Sequence, residues 1–243
     1  MFISPMLLQE SASPPEDYAN VITELKLDGI RLLYSNLHGE PKLYTRHHLD
    51  VTHMFPEITD LTLPKGLVLD GELISVDVDS KPDFTRLMER FRSKEHNTTI
   101  PVQFVAFDIL FYKGKNITQL PLLKRKQLLN QVVPTDTIAL VTSQWVEGNS
   151  QTYFEVVKEY DLEGIIVKKP HSKYHIGKRT NDWLKIINYK YGKGKRSEII
   201  GKDSGFLFYK ERGYPLRLME FKTKKNREKL YEKYRQFMKH NLG

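Results

Sequence analysis

Cysteine is absent from the 243 residues. That excludes a disulfide framework, a thiol nucleophile and thiolate metal sites, and leaves oxygen or imidazole to hold any metal. Carboxylates with Mg²⁺ (or Mn²⁺) are the natural pairing, because His47, His48, His53, His171 and His175 show no convincing ligand spacing. Also missing is any apolar run approaching the ~20 residues that cross a bilayer. Met1-Phe2-Ile3-Ser4-Pro5 lacks the charged and apolar regions of a signal peptide, so a soluble, cytoplasmic chain is the expectation. There is no internal repeat and no low-complexity segment, which sets aside solenoids and repeat arrays.

What is present is an ordinary globular composition. Hydrophobic residues make up 40% and aromatics 11%, enough for the core of one large domain and a small one. The net charge of +8 is unevenly placed: Lys185 to Gly243 holds 17 Lys/Arg against 6 Asp/Glu, or +11, which leaves −3 on the first 184 residues. A near-neutral body with a basic end fits a polyanion partner such as nucleic acid, and equally a solvated basic surface.

Val21 to Tyr34, Leu67 to Val76, Val102 to Tyr112 and Gly164 to Lys168 alternate as strands do. Helical spacing is clearest over Leu122 to Val132 and Gln151 to Tyr160. The pattern predicts an α+β body built on antiparallel sheets. Tyr191-Gly192-Lys193-Gly194-Lys195-Arg196 reads as a hinge, and the boundary after Asn188 divides a domain of residues 1–188 from a basic unit of residues 189–243. In that unit two strand-like runs, Gly205 to Lys210 and Leu216 to Phe221, precede a charged helical stretch from Asn226 to His240.

The chemistry concentrates in Glu24-Leu25-Lys26-Leu27-Asp28-Gly29-Ile30-Arg31. If extended, the segment puts Glu24, Lys26 and Asp28 on one face, two carboxylates flanking an amine. A free lysine titrates near pH ~10.4 and needs neighbouring cations or desolvation to attack at neutrality, whereas acidic neighbours do the reverse. A Mg²⁺ on the carboxylates and a second lysine nearby would remove the conflict. Gly29 permits a tight bend or a close approach by a ligand, and Arg31 offers a planar fork for phosphate. Asp70 and Glu72 share a strand face suited to a cation or a ribose hydroxyl.

Lys26-x-Asp28-Gly29-x-Arg31 resembles the nucleophile motif of ATP-dependent DNA ligases, a family akin to RNA ligases and mRNA capping enzymes. Further segments follow in the family's order. Thr45-Arg46 resembles the motif whose arginine contacts the nick phosphate, and Leu69-Asp70-Gly71-Glu72-Leu73 the motif whose glutamate contacts ribose. Phe104 to Phe111, centred on Phe107-Asp108, is similar to the motif that stacks an aromatic ring on adenine. Glu163-Gly164-Ile165-Ile166-Val167-Lys168 resembles the metal-linked glutamate motif, and Trp183-Leu184-Lys185 the start of the motif that holds the α-phosphate. The resemblance covers nearly all of residues 5 to 187.

It implies an ATP-grasp-like adenylation domain followed by a short, OB-like β unit. It further implies ATP and Mg²⁺ as cofactors, nicked duplex DNA as partner, and a monomer of a viral or prophage-like form. By residue, Lys26 becomes the nucleophile, Glu24 meets the adenine amino group and Glu72 the ribose. Phe107 stacks on adenine, Asp28 and Glu163 hold the metal, and Lys185 holds phosphate as a second catalytic residue. Arg31 contacts both nucleotide and DNA, with Arg46, Lys193, Lys195 and Arg196 on the nucleic acid.

Taken singly the segments have plainer readings: an acidic turn at Leu69 to Leu73, a core Phe107, Glu163 capping a turn, Trp183 as packing and Lys185 as surface. Two features depart from the family pattern. Ile187 stands where a second phosphate lysine is usual, a loss on the order of 1.5–3 kcal/mol, or tenfold to a hundredfold in rate. The residues after Asn188 are too few for a five-stranded barrel. The alternatives are an RNA ligase or capping-type nucleotidyltransferase, and a non-catalytic nick-binding remnant.

Overall fold

The computed structural model describes residues 1–15, 20–75, 83–93, 99–134, 137–159 and 162–188. The unit predicted for residues 189–243, including Lys193, Lys195 and Arg196, lies outside the described residues. In chain order the first elements are β1 (Leu7–Glu10), β2 (Ile22–Leu25), β3 (Ile30–Ser35), β4 (Lys42–Thr45), a 3₁₀ turn (Thr52–Met54), α1 (Pro56–Thr59), β5 (Val68–Ser75) and α2 (Phe84–Arg92). There follow β6 (Val102–Tyr112), β7 (Lys115–Asn116), α3 (Leu122–Val132), β8 (Leu140–Thr142), β9 (Trp145–Glu147), α4 (Ser150–Glu159), β10 (Gly164–Lys168) and β11 (Arg179–Ile187).

The strands form two sheets. One runs β1-β11-β10-β2-β9, and the other β4-β3-β5-β6-β7 with β8 beside β6. Apart from the parallel pairs β1 with β11 and β6 with β8, the named strands pair antiparallel. The predicted α+β architecture on antiparallel sheets is therefore the one observed.

Side-chain alternation decides the layering. On β3, Leu32 and Tyr34 join one core with Leu69, Phe104 and Leu87 of α2, while Leu33 joins Val68, Leu110 and Trp183 in a second core between the sheets. On β10, Ile165 and Val167 pack with Tyr153, Phe154 and Val157 of α4 in a third core. Glu24, Lys168 and Trp183, from three adjacent strands of the first sheet, face the space between the sheets.

The predicted single strand from Val21 to Tyr34 is two strands. Lys26 N still donates to Gly164 O at 3.0 Å, on the first sheet, and Ile30 already pairs with Leu73 in the second. The intervening Lys26 to Gly29 crosses between sheets. Gly29 is required there, because a Cβ on it would collide with the carbonyl oxygen of Leu73.

Helix α3 carries cations on its buried stripe, where Leu122, Arg125, Lys126, Leu129 and Val132 are all covered. Arg125 forks onto Asp108 of β6 with bonds of 2.8 and 2.9 Å, both side chains fully buried. It also donates to the carbonyls of Leu120 and Ser172. In Arg125→Met the buried Asp108 carboxylate loses its cation and two carbonyls each lose a donor, and unfolding is expected to become easier by about 3–5 kcal/mol. Denaturant titration should also find Asp108→Leu combined with Arg125→Met less destabilised than Arg125→Met alone, since no buried charge is then left unpaired.

Candidate active site

Around Lys26 the fold gathers residues from distant parts of the chain. The Lys26 amine donates to Glu163 Oε1, just before β10. Burial penalises the ammonium, yet the charge of Glu163, with Glu72 and Asp28 beyond it, outweighs this and holds Lys26 above its ordinary value. Burial, helped by the Glu163 charge, pushes Asp28 up to about 7. Burial pushes Glu72 up to about 8 and also raises Glu163. Three carboxylates thus crowd one lysine, and desolvation, with repulsion from Glu163 on the other two, raises all three above the ordinary carboxylate range.

A dication fits this arrangement. Glu163 Oε2 is buried with no hydrogen-bond partner among the described residues, and Asp28 and Glu163 interact through their charges. Among the described residues no three His, Asp or Glu side chains form a metal-holding group. Mg²⁺ needs only one or two carboxylates when substrate phosphates complete its shell.

Glu24 does not flank Lys26 as the extended segment predicts, because the chain leaves the strand after Leu25. Its carboxylate lies between Lys126 Nζ at 2.5 Å and Lys168 Nζ at 2.8 Å. These two lysines overcome the cost of burial and hold Glu24 below its usual value. Lys168, fully buried, is itself pushed down to about 8 by burial. Its amine stands 4.6 Å from the Phe107 ring centroid and 4.2 Å from that of Trp183.

Arg31 forks onto Asp70 with bonds of 2.9 and 2.6 Å and lies 5.0 Å over Phe107. Tyr174 Oη donates to Asp70 at 2.6 Å and accepts from Met6 N at 2.9 Å. Asp70 is consequently a structural anion, not the cation ligand its strand face allowed. Glu72, two residues on, faces the charges of Lys26 and Arg31.

On β11, Ile186 packs into the α4 core while Lys185 and Ile187 take the opposite face. Lys185 Nζ lies 2.8 Å from Glu10 Oε2 of β1, and its charge reaches Glu163. Arg46 is exposed on the turn after β4, donating to His47 at 2.9 Å. Trp183 is fully buried, as packing predicts. Sequence reasoning missed Lys126 and Tyr174, and assigned Lys168 no role. Lys126 left one trace, a cation on the apolar stripe of α3.

Residues 5–186 match the ATP dependent DNA ligase domain family. The prophage-derived DNA ligase-like protein of Bacillus subtilis SPbeta is 42% identical over 233 residues, 95% of this chain and 84% of that protein. A DNA ligase of Methanosphaera stadtmanae is 32% identical, across 82% of this chain but 40% of that protein. Among solved structures, mycobacterial DNA ligase D complexed with ATP and MES has a TM-score of 0.63 at 25% identity, over 77% of this chain and 60% of that one. The chain thus spans less than half of the archaeal ligase it matches. With a lysine paired to the glutamate before β10, two sheets in the described fold and a family match across residues 5–186, the chain belongs to the ATP-dependent DNA ligases.

Proposed function

We propose that this chain seals nicks in duplex DNA through a lysyl-AMP intermediate on Lys26. The carrying observation is the Lys26–Glu163 pair, whose second carboxylate oxygen has no partner among the described residues, set among Asp28, Glu72 and Lys185. Neutral Lys26 Nζ forms a bond to the α-phosphorus of ATP as the bond to the bridging oxygen breaks and pyrophosphate leaves. A 5′-phosphate oxygen at the nick then displaces Lys26 from AMP. The 3′-hydroxyl finally displaces AMP and closes the backbone.

In this reading Lys185 and Arg31 neutralise phosphate, Glu72 accepts from ribose, and Phe107 backs the adenine with Glu24 at its amino edge. Arg46 and the basic residues Lys193, Lys195 and Arg196 hold DNA. Asp28 and Glu163 would hold Mg²⁺, which supplies charge neutralisation at the phosphates and relieves the carboxylates' hold on the Lys26 proton. Positioning and electrostatics supply most of the rate in phosphoryl chemistry of this kind.

The test is incubation with α-labelled ATP and Mg²⁺, then denaturation and peptide mapping. Label is expected on the peptide containing Lys26, and addition of nicked DNA should release it with sealing. Absence of label, or label mapped to a different residue, rejects the proposal. Sealing confined to nicked RNA would move the chain to the RNA ligases.

A further inference from the structure

Lys126 has no part in those steps, yet one amine joins two elements of the base site. It donates to the carbonyl oxygen of Phe107 at 3.1 Å and lies 2.5 Å from Glu24 Oε1. Side-chain exposure is 3% for both Lys126 and Glu24, so the contact is made away from water. The neighbouring pair runs in parallel, with Arg125 on Asp108 as Lys126 is on Phe107. Helix α3 is thereby locked to the strand that carries the stacking ring.

We infer that Lys126 is a positioning residue that fixes the register between stacking ring and edge acceptor, and so sets preference for an adenine over a guanine nucleotide. The inference rests on the reading above in which Phe107 and Glu24 hold the base. Adenine presents an amino donor where guanine presents a carbonyl acceptor. A fixed, ionised carboxylate accepts from the first and repels the second. Lys168 alone secures only Oε2 and makes no link to the Phe107 backbone. Lys126 meets Oε1 at 2.5 Å, and a carboxylate oxygen with two lone pairs can still accept a hydrogen bond from a ligand.

The experiment measures formation of the covalent nucleotidyl-protein with ATP and with GTP in wild type, Lys126→Met and Lys126→Arg. In the Met variant kcat/KM for ATP is expected to fall roughly tenfold to a hundredfold, chiefly through KM. GTP should lose little, so the ATP to GTP ratio drops by a similar factor, and Arg should restore part of it. An unchanged ratio, or equal losses for both nucleotides, overturns the inference and leaves Lys126 a packing residue. Should the Met variant fail to fold, Lys126→Gln gives the same readout, keeping a donor for Phe107 without the charge. Wild type that takes label from neither nucleotide overturns the proposed function and this inference with it.

Discussion

In Lys26→Ala, formation of the covalent adenylate is expected to fall below detection, a loss of more than ~10⁴-fold, because the attacking amine is gone. Lys26→Arg is the sharper variant. It retains a cation for Glu163, but a guanidinium cannot be deprotonated and so cannot be a nucleophile. Both variants should fail to take label from ATP. Joining of a nick that already carries AMP needs no lysine nucleophile, and Lys26→Arg should keep it within about tenfold of wild type, ~1.4 kcal/mol. Lys26→Ala should join that substrate more slowly, since Glu163 then lacks its cation. The assay is gel separation of joined and unjoined strands on the two substrates. If Lys26→Arg lost both activities equally, Lys26 would be a structural charge and not the nucleophile.

The fold was legible where an apolar run is bounded by turn residues or keeps a helical spacing. Val102 to Tyr112, Gly164 to Lys168 and Leu122 to Val132 coincide with β6, β10 and α3. β6 and β10 are largely covered on both faces, so their branched and aromatic content marks them as strands more than a one-sided period does, whereas α3 shows its stripe at three- and four-residue spacing. The break between β2 and β3 was hidden because apolar residues continue across it. Only Gly29, pressed on the Leu73 carbonyl, marks the crossing. Short strands such as β8 and β9 are set by partners far along the chain and carry too few residues to show a period.

The site divides along the same line. Lys26, Glu72, Phe107, Glu163 and Lys185 could be named from motifs, and the structure brings Lys26 together with Glu163 and the charge of Glu72. Partnerships were not legible. Nothing local says that Glu24 turns to Lys126 and Lys168, or that Asp70 is spent on Arg31 and Tyr174. These contacts span up to 144 residues, and a buried ionic network has no sequence period. The cations of α3 were the one available hint, since a stripe of Leu122, Leu129 and Val132 that also holds Arg125 and Lys126 must supply anions opposite them.

The carboxylate crowding around Lys26 makes Glu163→Gln the most discriminating substitution at the site. Charging should rise with pH through the pKa of Lys26, because only the neutral amine attacks. The charge of Glu163 holds that pKa up, so the Gln variant should show its rising limb at lower pH. The same change removes a cation ligand and should lower the plateau about a hundredfold, ~2.7 kcal/mol. The two effects oppose one another on the acidic side, and the variant's deficit should shrink as pH falls. Stability should respond with a sign of its own. Folded Glu163 keeps its proton to higher pH than the unfolded chain does, so the wild type loses stability as pH rises above the ordinary carboxylate range, and Gln abolishes that loss. Raising Mg²⁺ on the wild type should shift its rate profile in the direction the substitution does, since both cancel the same negative charge. A rising limb unmoved by Glu163→Gln would mean that another group governs the Lys26 proton, and an unchanged plateau would take Glu163 out of the cation site.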